Sequence, residues 1–159
     1  MKIIRIITTG LARFFLSIVF LAGACKNLLN WHETEGLLMN TFSDWQAHLG
    51  LWDEAQALFT FLMPWAPLWL AIAALFQLIG GLLVLLGIKE KLGATLLLLF
   101  LLPATILFHP FWFFEGAARE LQSVMFLKNL AILGGIFLLL LHGGNSRSSG
   151  GGFSSFNIG

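Results

Sequence analysis

The chain has 159 residues, 58% of them hydrophobic and only 11% charged, with a formal net charge of +1 and a mean hydropathy of +0.87. A water-soluble domain of this length could not hide that much apolar surface, so the class is integral membrane protein with the lipid bilayer as its first partner. The near-neutral balance carries no footprint for nucleic acid, and the lone Cys25 excludes an internal disulfide or a CxxC thiol relay.

A membrane span needs about 20 apolar residues. Four stretches qualify, at 11–29, 65–88, 92–108 and 121–141, the third extended toward the interface by Phe111, Trp112, Phe113 and Phe114. The first opens after Lys2 and Arg5 and ends in Lys26, Asn27 and Asn30. Its basic start, apolar centre and Ala22-Gly23-Ala24 also fit a signal peptide, and Leu21 to Cys25 resembles a lipoprotein box. The long apolar core makes an uncleaved first span the preferred expectation.

Between the first two spans, the loop 31–64 is too long for a bare connection. Ser43 and Gln46 have capping-box spacing, which predicts a short helix opening there and ending at Gly50. Beyond it, Leu51, Trp52, Ala55, Leu58, Phe59 and Leu62 recur at helical spacing opposite Asp53, Glu54 and Gln56. That pattern predicts an amphipathic helix lying on the outer leaflet or capping the bundle.

The second span carries Ala73, Gln77 and Gly81 one turn apart, with Gly80 and Gly87 a heptad apart. Such small residues let helices approach closely, with Gln77 facing the contact near mid-membrane. Pro103 interrupts the third span and frees the carbonyl of Leu99, so a kink is expected. His109 lies at that span's outer end. The fourth span opens with Arg119, Glu120 and Gln122, holds Lys128 and Asn129 about two turns deeper, and offers Gly134-Gly135 as another close-packing point. The segment 143–159 is rich in Gly, Ser and Asn and is expected to be a mobile cytoplasmic tail, leaving 1–142 as the membrane domain.

Orientation follows from the basic residues. Lys2, Arg5, Arg13, Lys89, Lys91 and Arg147 fall on one side of the four spans. The loop 31–64 has no Lys or Arg and carries five acids, and all six Trp lie at or near that loop's side. Both termini are therefore expected in the cytoplasm, with the loop outside.

The candidate site rests on depth. A lysine inside an apolar run costs about 2.5–3.5 kcal/mol at the bilayer centre on insertion scales, so Lys128 is expected to face protein, water or a partner inside the bundle. Lys26, Gln77, His109, Gln122, Lys128 and Asn129 would then make the bundle polar inside its outer half, above a dry, Leu-rich inner half. Convergent donors in a low-dielectric cleft suit a ligand with carbonyl or anionic oxygens, such as a quinone head group or a lipid phosphate. The competing account has Lys128 paired with Glu120 or Glu115 purely to fix helix register. His109 can titrate near neutral pH and is the candidate proton-transfer residue, with a structural hydrogen bond as its alternative. No histidine pair lies at matching depth for haem, and no spacing encodes a metal site. Arg13 is expected to snorkel to phosphates as a topology anchor.

Several segments together resemble the DoxX family. Arg13 to Lys26 is similar to its opening helix, Gln77 to Gly87 to its second, Phe108-His109-Pro110-Phe111-Trp112 to its third, and Phe126 to Gly135 to its fourth. The resemblance implies a small four-helix inner-membrane protein; some relatives are subunits of quinone-linked oxidoreductases, and the related surfeit-locus cargo receptor binds proteins. By position it marks Arg13, Gly23, Lys26, Gln77, His109, Lys128 and Asn129. Two departures stand out: Gln77 replaces a frequent Glu, and the usual Gly-x-Gly-Arg ending is degraded to Gly144-Asn145-Ser146-Arg147.

The expected fold is all-α: a left-handed, up-down-up-down membrane bundle of four helices with an amphipathic outer cap between the first two. The leading functional expectation is a membrane subunit of a quinone-linked redox system, with Lys26, Lys128 and Asn129 holding the quinone oxygens. No residue pattern supplies an intrinsic electron carrier, so redox work would need a membrane or periplasmic protein partner. The alternative is a non-enzymatic scaffold or cargo-binding protein using its Trp-rich outer face.

Overall fold

A computed structural model describes residues 2–143. It contains six α-helices: α1 (Lys2–Leu29), α2 (Trp31–His48), α3 (Asp53–Leu62), α4 (Ala66–Leu86), α5 (Glu90–Phe108) and α6 (Gly116–His142). Short 3₁₀ turns at Met63–Trp65 and Phe111–Phe113 join α3 to α4 and follow α5. Four helical stretches are long and apolar enough to cross a membrane. The expected tail from 144 onward lies outside the described residues.

Two boundaries differ from expectation. α1 begins at Lys2 rather than near residue 11, because Lys2 and Arg5 are exposed and cost a helix nothing. In the loop 31–64, Ser43 caps nothing. It sits well inside α2, which opens at Trp31 and runs through because Leu38, Phe42 and Trp45 recur on the face turned to the protein.

The spanning helices pack in chain order: α1 against α4, α4 against α5, and α5 against α6. One core ties all four together, built from Phe20 of α1, Val84 of α4, Ala94, Leu97 and Leu101 of α5, and Leu133 and Ile136 of α6. Glycines set the closest approaches. A Cβ at Gly80 would stand 2.9 Å from the Leu97 side chain and 3.0 Å from the Gly93 carbonyl oxygen. The neighbouring Gly81 turns to the other side, where a Cβ would meet Leu21 of α1 at 2.9 Å. Adjacent glycines thus seat α4 against two partners at once. Gly134-Gly135 does not play the expected part: a Cβ at Gly134 would meet nothing within 4 Å, and one at Gly135 only Leu16 at 3.8 Å. α6 stands away from α1 here, so no close approach requires those glycines.

The α4–α5 turn also depends on glycine. Gly87 ends α4 in the left-handed region at φ 66°, where its N–H reaches the Val84 carbonyl at 3.2 Å. The next N–H, of Ile88, reaches the Leu83 carbonyl at 3.0 Å, closing the helix end.

At the opposite end, α2 and α3 form a cap. Leu38, Phe42, Phe59 and Ala66 make its core. Gln46 and Gln56 exchange amide-to-carbonyl hydrogen bonds at 3.3 and 2.6 Å, tying the two cap helices together. Trp45 locks the cap to the bundle: its indole N–H donates to the Leu107 carbonyl at 3.0 Å, while its ring packs on Phe59 and Phe113. In α3, Phe59 is buried in the cap core, while Leu58 and the preceding Leu51 and Trp52 are exposed.

Candidate functional site

The polar residues singled out by sequence do not converge in one cleft. They divide into three places. Between α1 and α4, the Asn27 amide donates to Gln77 Oε1 at 3.4 Å; Gln77 is buried and its Nε2 lies where a Cβ on Gly23 would be 3.3 Å away. Gly23 therefore makes room for the Gln77 side chain, a pairing that satisfies a polar group at membrane depth.

Between α5 and α6, His109 Nδ1 stands 2.9 Å from Gln122 Oε1. An amide oxygen only accepts, so the Nδ1–H of His109 is the donor in this pair. Asn129, seven residues beyond Gln122, lies on the same inward stripe and is half-buried.

Lys128 is the clearest correction. It is exposed rather than enclosed, and its ammonium donates to Met125 Sδ at 3.4 Å on its own helix. No carboxylate pairs with it, so Glu115 and Glu120 are not its counter-ions; the one salt bridge among the described residues lies elsewhere. The reason is rotational. Leu133 and Ile136 define the buried side of α6, and Lys128 lies about 80–140° away from them at 100° per residue. Lys128 instead continues the stripe Ile132, Gly135 and Leu139.

That stripe faces α1 across an open seam. An apolar groove of about 320 Å³ lies there, lined by Ala12, Phe15, Leu16 and Val19 of α1 and by Ile132, Gly135 and Leu139 of α6. The two helices run antiparallel, with Leu16 opposite Gly135. The same register brings Lys128 level with Gly23 and Lys26 level with Met125. Lys26, also exposed, continues the α1 stripe through Val19. Neither lysine lines the groove; by helix rise Lys128 stands about 6 Å beyond Ile132 and Lys26 about 10 Å beyond Val19, both toward the cap. His109 and Gln122 belong to another face; Lys128 lies six residues, or about 9 Å of helix rise, past Gln122.

A fourth polar cluster was not foreseen. At the end of the bundle away from the cap, Arg13 of α1 pairs with Glu90 in the first turn of α5. Glu90 is buried, and the guanidinium lies across Gly87, where a Cβ would be 2.7 Å from Nη1. The end of α6 also closes on it, since a Cβ at Gly143 would meet the Glu90 side chain at 3.2 Å. Arg13 Nε and Ser17 Oγ are buried there with no hydrogen-bond partner among the described residues. Arg13 is thus a latch to a carboxylate, not a snorkelling anchor. The available signal was that Glu90 is the only acidic residue on its side of the four spans.

Among the described residues, no three His, Cys, Asp or Glu side chains come together as a metal site. Cys25 is free and exposed.

A family model described as DoxX matches residues 9–110. The matched segment runs from α1 through the cap to the end of α5 and includes Arg13, Gly23, Lys26, Gln77 and His109; α6, with Lys128 and Asn129, lies beyond it. No curated protein and no solved structure matches the chain.

Proposed function

The chain belongs to the DoxX family, and from this premise we propose that it is the membrane subunit of a quinone-linked redox system in the bacterial inner membrane, with both termini cytoplasmic. One observation carries the proposal: among the described residues Lys128 has no counter-ion, and it stands within the apolar run of α6 on the cap side of an apolar groove between α1 and α6.

An unpaired ammonium in that position is costly unless something polar reaches it from within the bilayer. A quinone meets both halves of the requirement. Its ring carbonyls would accept from Lys128 and Lys26, and its isoprenoid tail would lie along Phe15, Leu16, Val19 and Ile132. A phospholipid fits less well, because its phosphate stays in the interface while Lys128 lies seven residues, about 10 Å, inside the apolar run. Asn129 and Gln77 would stiffen the bundle wall beside the head group rather than touch it. His109, held through Gln122, would act in a proton path at the cap side rather than at the quinone oxygens.

Redox turnover needs an electron carrier from a partner subunit, for which the exposed Leu51 and Trp52 of the cap offer an apolar contact. Those residues also favour the second reading, a scaffold that binds a protein partner through its cap and carries no quinone.

The test is extraction of quinone from protein purified in mild detergent. Quinone in near-stoichiometric amount, lost in Lys128→Met but kept in His109→Gln, is the expected result. A quinone-free protein that still captures its membrane partner would replace this proposal with the scaffold.

A further inference from the structure

α1 is longer than the bundle it belongs to. Leu16 lies opposite Gly135, so His142, seven residues on in α6, is level with Thr9, seven residues back in α1. Gly143 and Glu90 close the bundle at that level. The part of α1 before Thr9 therefore projects beyond the other helices by about 10 Å.

This projection is not an ordinary solvated helix end. Ile3, Ile4, Ile6 and Ile7 are 72, 70, 71 and 56% exposed, too much apolar surface to leave in water. The segment is also two-faced. Ile3, Ile7 and Leu11 follow one another at four-residue spacing, while Lys2, Arg5 and Thr9 share another side. Gly10, where a Cβ would meet nothing within 4 Å, stands at the junction and answers to no packing need.

We propose that the projecting start of α1, which continues the spanning helix without a break, is its interfacial end and is held at the anionic lipid surface at the Arg13 end of the bundle. Ile3, Ile7 and Leu11 enter the acyl-chain boundary, and Lys2 and Arg5 meet the head groups. Charge complementarity selects this occupant. At that end the other described charges are Lys89 and Lys91, both exposed, and the Arg13–Glu90 pair, in which the single carboxylate is already engaged. Among the described residues nothing there competes with lipid phosphate for Lys2 and Arg5, and the unpaired charges of that rim are cationic.

The experiment uses the full chain with Cys25→Ser and a nitroxide at Ile7→Cys, reconstituted in phosphatidylcholine vesicles with or without one third phosphatidylglycerol. Collisions with oxygen and with a nickel chelate report whether the label is in lipid or in water. With phosphatidylglycerol the label is expected to be lipid-immersed, and Lys2→Gln with Arg5→Gln should lower the immersed-to-exposed ratio about thirtyfold in those vesicles. Without phosphatidylglycerol the double substitution should change little. Because neither residue belongs to the packed bundle, the variants retain the fold. Equal immersion in both lipids regardless of Lys2 and Arg5 would overturn the proposal, as would dipolar coupling between labels that reveals a second copy as the partner of this segment.

Discussion

Arg13 of α1 and Glu90 of α5 form an ion pair across three helix ends, with the guanidinium resting on Gly87 and the carboxylate against Gly143. The Glu90 side chain is 9% exposed and that of Arg13 23%, so both charges have given up much of their water. Removing one partner strands the other. Glu90→Gln or Arg13→Met should each destabilise the bundle by about 2–4 kcal/mol, while the paired replacement Arg13→Met with Glu90→Leu should recover most of that loss. Thermal unfolding of all four proteins in detergent, read as a double-mutant cycle, checks it. Additive losses would mean that the two side chains do not act as a pair.

Ser17 lies one turn from Arg13 on α1 and is fully buried, its hydroxyl without a hydrogen-bond partner among the described residues. A buried hydroxyl without a hydrogen bond costs free energy that a methyl group does not. Ser17→Ala should therefore leave stability unchanged or raise it by about 1 kcal/mol, opposite in sign to most core substitutions. A loss comparable to that of Glu90→Gln would show that the hydroxyl is engaged after all.

The glycines of the chain should separate sharply. Gly93→Ala would place a Cβ 2.9 Å from that of Leu83 and 3.0 Å from the Gly80 carbonyl, both rigid neighbours. It should cost about 1–3 kcal/mol by pushing α4 and α5 apart. Gly134→Ala, by contrast, enters open space inside a helix and should gain up to about 1 kcal/mol from helix propensity. Equal effects at the two sites would contradict the packing described above.

The span count and the concentration of tryptophan at the cap end follow from composition alone, because apolar length and aromatic placement are local properties of the chain. The lateral order of helices is not local. Hydropathy located Lys128 in depth but not in rotation; that needed the buried positions Leu133 and Ile136, which fix the inward side of α6. Arg13 and Glu90 were harder still. Lys89-Glu90-Lys91 looks like a solvated turn, and only the approach of α1 and the end of α6 takes the carboxylate out of water. Ser43 failed for a different reason: its spacing to Gln46 matched a cap, but the apolar repeat of α2 ran straight through it and won.

Trp45 should report on cap closure. Its indole N–H donates to Leu107 and its ring touches Phe59 and Phe113, so one side chain joins α2, α3 and the end of α5. Trp45→Phe keeps most of the packing and loses the hydrogen bond, at a cost of about 1 kcal/mol. Faster hydrogen exchange in Trp31–His48 and Asp53–Leu62, with the spanning helices unchanged, is the expected pattern. Exchange that rises equally in α4 and α5 would mean the cap and the bundle open as one unit.

Lys128 offers the sharpest separation between a binding group and a structural one. As a structural ion it would need a partner, and its removal would destabilise the fold. It has only the Met125 sulfur, a weak acceptor, and faces an open seam. Lys128→Met should therefore stabilise the ligand-free protein, by up to about 3 kcal/mol, because an uncompensated ammonium leaves the hydrocarbon region. The same substitution should abolish the stabilisation that added quinone gives the native chain, which grows with the logarithm of quinone concentration once binding saturates. Melting curves in detergent, with and without a soluble quinone analogue, give both numbers in one series. A variant that melts below the native chain in the absence of quinone would assign Lys128 to structure, and the seam would lose its claim to be a site.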